Sequence, residues 1–181
     1  AAMAFNRYID EKFDKLNHAN QTGTAMTQLI SARNGIITPQ MQASAAAENI
    51  DAETLRKRIA EGVAVLPMNI KHENCRATGI GFGLKTKVNA NIGTSREHCF
   101  LEEEIKKLEV SIEAGADTVM DLSTGGNLDE IRKILISRCP IPLGSVPIYQ
   151  CVVDLMNEGK SAAELDEARI IDTVHRHAES G

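Results

Sequence analysis

The sequence has no tryptophan and few other aromatic residues, which make up 3% of its 181 residues. It also has no apolar run near the roughly 20 residues that a membrane-spanning helix needs, and no signal-peptide core. Basic residues are not in excess, because 20 Lys and Arg stand against 25 Asp and Glu, for a net charge of −5. These absences argue against a membrane protein and against a general binder of nucleic acid or anionic lipid. We therefore expect a soluble, cytoplasmic protein.

Closely spaced cysteines are absent as well. The four cysteines are Cys75, Cys99, Cys139 and Cys151, with no C-x-x-C pair among them. Closed zinc and iron–sulfur sites usually draw on closely spaced thiolates, so we expect reduced, mostly buried thiols and no metal site. His175 and His177 lie two residues apart in a stretch that reads as helix, where such neighbours do not share a face. They are therefore not expected to form a ligand pair.

The chain is shorter than the about 250 residues that a complete (β/α)₈ barrel typically needs. Its 181 residues have room for one ordinary domain, and 43% hydrophobic with 25% charged residues is the composition of a globular protein. Phe5, Tyr8 and Phe13 concentrate the aromatics near the start, at helical spacing. Residues 1–25 are thus predicted to form an amphipathic helix that packs on the domain or on an oligomer neighbour, or to be a leader.

Residues 26–62 read as a helical lead-in. Helical pieces are predicted over 26–33, 39–49 and 52–61, with Thr38 and Pro39 in the usual order of an N-cap and first helical residue. The apolar residues 63–67 then predict a buried strand, and the glycine-rich residues 79–83 predict an irregular loop.

From residue 86 a strand–helix unit repeats about every 30 residues. Strands are predicted over 86–92, 118–122 and 141–146, and each leads into a helical stretch. Asn127 with Glu130, and Ser161 with Glu164, have the spacing of helix N-caps. This alternation is typical of an α/β fold with a parallel sheet and right-handed crossovers. Residues 63–181 are therefore predicted to open either a doubly wound sheet or a barrel.

Ligands of such folds bind where strands end and the following loops begin. Three polar stretches follow the predicted strands. The first holds Asn89 and Asn91 on one strand face, and their amides suit a polar, hydroxyl-rich ligand. The second runs from Met120 to the glycines 125–126, whose backbone N–H groups can approach an anion; the third brings Tyr149. No nucleophile–base pair or paired carboxylates can be assembled from these loops.

Three segments carry a more specific signal: KVNANIG at 87–93, ADTVMDLSTG at 116–125 and VPIYQ at 146–150. In this order they closely resemble the thiamin-pyrimidine synthase family, also called the phosphomethylpyrimidine synthase family, and the resemblance extends from about Met26 to the end of the chain. It implies α/β architecture in which parallel βα units form the first part of a (β/α)₈ TIM-type barrel, after an N-terminal helical segment.

The resemblance also implies a function. Family members are homodimeric radical S-adenosylmethionine lyases that rearrange aminoimidazole ribotide into the phosphorylated hydroxymethylpyrimidine of thiamin. They use a [4Fe–4S] cluster, held by a C-x-x-C-x(4)-C motif, and a divalent metal on two histidines. Asn91, Met120 and Tyr149 match the family positions that contact the imidazole ribotide, and we predict them as substrate-binding residues. No catalytic residue is predicted.

Two departures from the family pattern bear on this prediction. PMNIKH at 67–72 stands where the family usually has P-A-N-I-N-H, a difference that fits either ordinary divergence or a paralogue making 5-hydroxybenzimidazole for anaerobic cobamide synthesis. The cluster motif and metal histidines are missing, so we expect no synthase activity, cluster, S-adenosylmethionine or metal binding by this chain alone. The rival interpretations are a non-catalytic half-barrel that associates with a second chain, with the missing C-terminal part or with itself, and an unrelated phosphate-binding α/β protein.

Overall fold

The computed structural model describes residues 26–181; the helix or leader predicted for residues 1–25 lies outside the described part. Three short helices open the fold where the sequence predicts helices: α1 (Gln28–Arg33), α2 (Pro39–Glu48) and α3 (Ala52–Ala60). The hydroxyl of Thr38 accepts the Met41 N–H at 3.1 Å and so caps α2, ahead of Pro39. The helices share a small core of buried side chains: Ala32, Met41, Ala45, Leu55, Ile59, Ala64 and Leu66.

A two-stranded antiparallel pair follows, formed by β1 (Ala64–Val65) and β2 (Ile80–Gly81). Two predictions are corrected here. The buried strand expected over 63–67 shortens to two residues, of which Val65 is exposed, and the irregular loop expected over 79–83 contains β2. Gly81 explains the pairing, because it has φ +139° and a Cβ there would lie 2.5 Å from the Val63 carbonyl oxygen.

The predicted parallel sheet is confirmed. Its strands are β3 (Asn89–Ile92), β4 (Thr118–Asp121) and β5 (Leu143–Ser145), in the order β3-β4-β5. Helix α4 (Leu101–Glu113) connects the first two strands and α5 (Leu128–Arg138) the next two. The register places Asn91 beside Met120 and Met120 beside Gly144. All three strands are shorter than the sequence pattern predicts.

Two further helices complete the described chain: α6 (Pro147–Asn157) and α7 (Glu167–Ser180), with a 3-10 turn at Ala162–Glu164 between them. Both predicted N-caps are present. Asn127 Oδ1 accepts the Glu130 N–H at 3.3 Å, and Ser161 with Glu164 forms a reciprocal capping box.

The main core lies between the parallel sheet and the helices on one of its faces. It consists of Ile92, Ile105, Leu108, Ala116, Val119, Ile131, Leu135, Cys139 and Ile141. Because strand side chains alternate between faces, Asn89, Asn91, Thr118, Met120 and Gly144 lie on the opposite face. Within residues 26–181 the sheet has three parallel strands and does not close. The α/β architecture is thus confirmed, while the barrel stays a prediction.

No helix within residues 26–181 is long and apolar enough to cross a bilayer.

Candidate ligand site at the ends of the parallel strands

Within the described residues, the face of the sheet opposite the core brings two of the three predicted binding residues together. Asn91 is exposed on β3, and its neighbour across the sheet is the partly exposed Met120 of β4. Tyr149 lies in the first turn of α6, which begins directly after β5, and the residue is 44% exposed. An amide, a thioether and a phenol are therefore presented at the ends of three adjacent parallel strands. This is where ligands of parallel α/β proteins bind.

A polar relay orients the Asn91 amide. The Thr118 hydroxyl donates to Asn89 Oδ1 at 2.7 Å, which leaves the Asn89 amino group to donate to Asn91 Oδ1 at 3.0 Å. The Asn91 amino group keeps its N–H donors for a ligand, since no described residue accepts from it. Thr118 was not singled out from the sequence, and it acts here only because the register sets it opposite Asn89.

Gly144 leaves the space that the Met120 side chain occupies. A Cβ at position 144 would lie 3.0 Å from Met120 Cε and 3.1 Å from Sδ, so the thioether rests over the glycine backbone. Sequence reasoning missed this residue. Its signal was a glycine inside a strand, which often marks a close approach of another group.

In the glycine-rich loop after β4, one of the two glycines expected to approach an anion has its N–H group engaged within the protein. The Thr124 N–H donates to the Thr94 carbonyl at 2.9 Å, and the Gly125 N–H lies 3.3 Å from the Thr94 hydroxyl. A Cβ on Gly125 would sit 2.1 Å from the Ser95 carbonyl oxygen. The glycine thus lets two strand-end loops pack against each other, and the amide donors at 124 and 125 are already used.

Asp121 is a buried carboxyl near the site but on the helix-facing side of the sheet. Its Oδ1 accepts from the backbone N–H and the hydroxyl of Ser123, at 3.0 and 2.5 Å. Burial raises the pKa of Asp121, and these hydrogen bonds oppose the rise. Because Asp121 is buried on the helix-facing side and accepts from the Ser123 turn, it shapes the loop.

A buried polar network lies beneath the first turn of α6. Arg132 Nη1 lies 2.7 Å from Gln150 Oε1 and 2.9 Å from His177 Nε2, and Nη2 pairs with Asp129. The other nitrogen of His177 is 2.7 Å from the Ser145 hydroxyl, at the end of β5. Burial, aided by the Arg132 charge, lowers the pKa of His177 to about 4. His177 is therefore neutral at physiological pH.

The cysteines are free thiols: Cys139 and Cys151 are buried, Cys75 is half-buried and Cys99 is exposed. The expectation of mostly buried thiols is thus wrong for Cys99, which precedes α4 in a surface loop. Burial raises the pKa of Cys75 to about 11, so it is not a thiolate at neutral pH. In residues 26–181 no group of three or more His, Cys, Asp or Glu side chains is placed to hold a metal ion. A [4Fe–4S] cluster, which needs gathered thiolates, does not fit these cysteines.

A separate cleft of about 1080 Å³ lies between the N-terminal helices and α7. Much of its lining is apolar, including Met26, Leu29, Leu66, Met68, Leu143 and Val174. The predicted binding residues Asn91, Met120 and Tyr149 do not line it. The cleft and the strand-end site are therefore different surfaces.

The fold and the strand-end site define a parallel α/β protein with polar and thioether side chains at the ends of its strands. A family model described as the Radical SAM ThiC family matches residues 27–181, and the chain belongs to this family. The resemblance carried by segments 87–93, 116–125 and 146–150 is thereby confirmed.

Curated relatives agree with this membership. Proteins named phosphomethylpyrimidine synthase are 47% identical in Carboxydothermus hydrogenoformans and 44% identical in Thermococcus kodakarensis, each over 156 residues. One named phosphomethylpyrimidine synthase 1, from Methanosphaera stadtmanae, is 48% identical over the same length. Each alignment covers 86% of this chain and 36% of the relative. The chain thus spans about a third of the length of these relatives.

The buried His177 makes stability depend on pH. Its pKa falls from 6.5 to about 4 on folding, so between these values the unfolded chain binds more protons. We expect the free energy of unfolding to decrease as pH falls from 7 to 4, by up to about 3 kcal/mol from this residue. Urea unfolding of His177→Gln should show a weaker decrease, while the exposed His175→Gln control keeps it. Equal pH dependence in both variants would contradict the assignment.

Proposed function

We propose that this chain supplies the substrate-binding face of a phosphomethylpyrimidine synthase, the radical S-adenosylmethionine lyase that converts aminoimidazole ribotide into hydroxymethylpyrimidine phosphate. The observation that carries the proposal is the strand register, which sets Asn91, Met120 and Gly144 side by side on the face of the sheet opposite the core. Tyr149 stands on the helix that follows the third strand. Family membership and relatives bearing the synthase name support it.

The residue types suit an aminoimidazole ring. Such a ring has flat, polarisable faces and polar edges, and it carries a sugar phosphate. The Met120 thioether is flexible and polarisable, and so can pack on the ring face. The Asn91 amino group, held in orientation by Asn89, donates to an edge acceptor, and the Tyr149 phenol can donate or accept.

The radical chemistry needs groups for which this chain's cysteines are not suited. No three ligand side chains are gathered in residues 26–181, so we propose that the [4Fe–4S] cluster, S-adenosylmethionine and the divalent metal are held by other residues of the working enzyme. Both outer strands of the three-stranded sheet, β3 and β5, have an unpaired edge within the described residues. Further strands, in the same protein or in a partner, would pair with the free backbone N–H and C=O groups of those edges.

The departures at 67–72 do not favour the benzimidazole product. Lys71 forms an ion pair with Glu179 at the end of α7, and the Asn69 amino group donates to the Ala178 carbonyl at 2.8 Å. Lys71 thus joins this segment to α7, away from Asn91 and Met120. This contact fits ordinary divergence, and we propose the pyrimidine product.

The product tests the reaction. Incubating the enzyme that contains this segment with aminoimidazole ribotide and S-adenosylmethionine, under anaerobic reducing conditions, should yield hydroxymethylpyrimidine phosphate by mass spectrometry. The purified 181-residue chain should yield none, because its cysteines do not assemble a cluster. Formation of 5-hydroxybenzimidazole, or turnover by the chain alone, would overturn this account.

Binding tests the role of Asn91. Calorimetric titration of the chain with aminoimidazole ribotide should give saturable binding, and Asn91→Ala should weaken it about five- to tenfold, as expected for one lost hydrogen bond. Asn157→Ala, at the exposed end of α6, is the matched control and should bind as the parent does. Equal affinities for the two variants would remove Asn91 from the site.

The Gly144→Ala variant tests whether the position of the Met120 side chain matters for binding. The added methyl would lie 3.0 Å from Met120 Cε and displace a flexible side chain. We expect the affinity for aminoimidazole ribotide to fall about tenfold, while the free energy of unfolding changes by less than about 1.5 kcal/mol. Parallel titration and urea unfolding measure the two effects. Unchanged affinity in a folded variant would show that the Met120 position does not matter for binding.

A further inference from the structure

We infer that Arg132 is a positioning residue for Tyr149, acting through the neighbouring Gln150. The inference deepens the proposed function, because the role of Tyr149 as a ligand contact rests on that proposal. Arg132 lies on α5 among the helices, where it is 3% exposed, and not on the face of the sheet that carries Asn91 and Met120. Its effect on the site would pass through the first turn of α6.

Arg132 joins three helices. From α5 its Nη1 lies 2.7 Å from Gln150 Oε1 on α6 and 2.9 Å from His177 Nε2 on α7, and Nε lies 3.4 Å from the Ser180 hydroxyl. A guanidinium only donates hydrogen bonds, so Gln150 Oε1 accepts from it; His177 Nε2 also lies 2.8 Å from Gln150 Oε1, and the three side chains form one cluster. A planar, multivalent donor can hold several acceptors in fixed directions, which a lysine ammonium does less well.

The first turn of α6 depends on this anchor. The N-cap residue, Val146, provides no side-chain hydrogen bond, so the usual capping contact is missing. Gln150 is 3% exposed, whereas Tyr149 is 44% exposed. Successive helix residues are about 100° apart around the axis, because a turn holds 3.6 residues. Fixing Gln150 inward therefore fixes the rotation of the turn and the direction in which Tyr149 leaves it.

The same network reaches the third strand. His177 Nδ1 lies within hydrogen-bond distance of the Ser145 hydroxyl, at 2.7 Å. Ser145 follows Gly144, on which Met120 rests. The network therefore connects α6, which carries Tyr149, to β5, which contains Gly144.

Removing the Arg132 charge should leave the fold intact. Its carboxylate partner, Asp129, also pairs with Arg176 Nη1 at 2.8 Å and so keeps a cation in the variant. Arg132→Met retains an apolar side chain in the buried space but no donor. Lys133→Met is the matched control, since it removes the same charge from the next, exposed position of α5.

Tyr149 can be observed directly. The sequence has no tryptophan and two tyrosines, so Tyr8→Phe makes Tyr149 the single strong fluorophore. In this background we expect Arg132→Met to lower the residual anisotropy of Tyr149 on the nanosecond timescale, because the first turn of α6 gains freedom. Lys133→Met should match the parent, and Arg132→Lys should lie between the two. The measurement needs no ligand.

A second variant guards against loss of folding. If circular dichroism shows that Arg132→Met is unfolded, Gln150→Met removes the acceptor at similar volume and should lower the Tyr149 anisotropy in the same way. Native anisotropy in whichever of these variants folds would overturn the inference, as would an equal drop in Lys133→Met. A parallel titration with aminoimidazole ribotide separates the two proposals: a parent chain that binds none refutes the proposed binding face, while the anisotropy still decides the role of Arg132.

Discussion

The lateral pairing of three short parallel strands is the constraint on which the site depends. It sets Asn91, Met120 and Gly144 in one row across the sheet, although they come from strands separated by whole helices. This arrangement is possible because Gly144 has no side chain. The Met120 thioether lies against the space that a Cβ at position 144 would take. A shift of β4 by one residue would turn Met120 toward the core and expose Val119.

The two faces of the sheet differ in what they carry: one packs into the apolar core, and the other carries the proposed binding residues. Val119 and Ile92 face the helices and belong to the apolar core, whereas Asn89 and Asn91 face away from it and are exposed. The loops that follow the strands are joined by backbone and Thr94 hydrogen bonds, which leave the edge of the site well defined. A relay of three polar side chains then orients one amide for a ligand. The proposed binding residues are thus held by strands that pack on the core and by loops that are hydrogen-bonded to each other.

The alternation of strands and helices could be predicted from local signals, including the caps at Asn127 and Ser161, whose side chains bond neighbouring residues. The register could not, because it depends on pairing between distant segments, and the strands proved too short for a clear alternating pattern. Gly144 and Arg132 were missed for related reasons. Arg132 resembles a surface charge on an amphipathic helix until α6 and α7 bring Gln150 and His177 against it. The family segments identified Asn91, Met120 and Tyr149 as candidates, but not what holds them.

The central claim is that aminoimidazole ribotide binds at the strand ends and not in the apolar cleft between the N-terminal helices and α7. Methyl-labelled methionine reports on both places, since Met120 lies at the first and Met26 and Met68 line the second. A nuclear magnetic resonance titration of the labelled chain, with the Met120 signal assigned by a Met120→Leu variant, locates the ligand directly. The account predicts a saturable shift of the Met120 methyl signal with the Met26 and Met68 signals unchanged. Shifts confined to Met26 and Met68, or no shift at Met120, would contradict it.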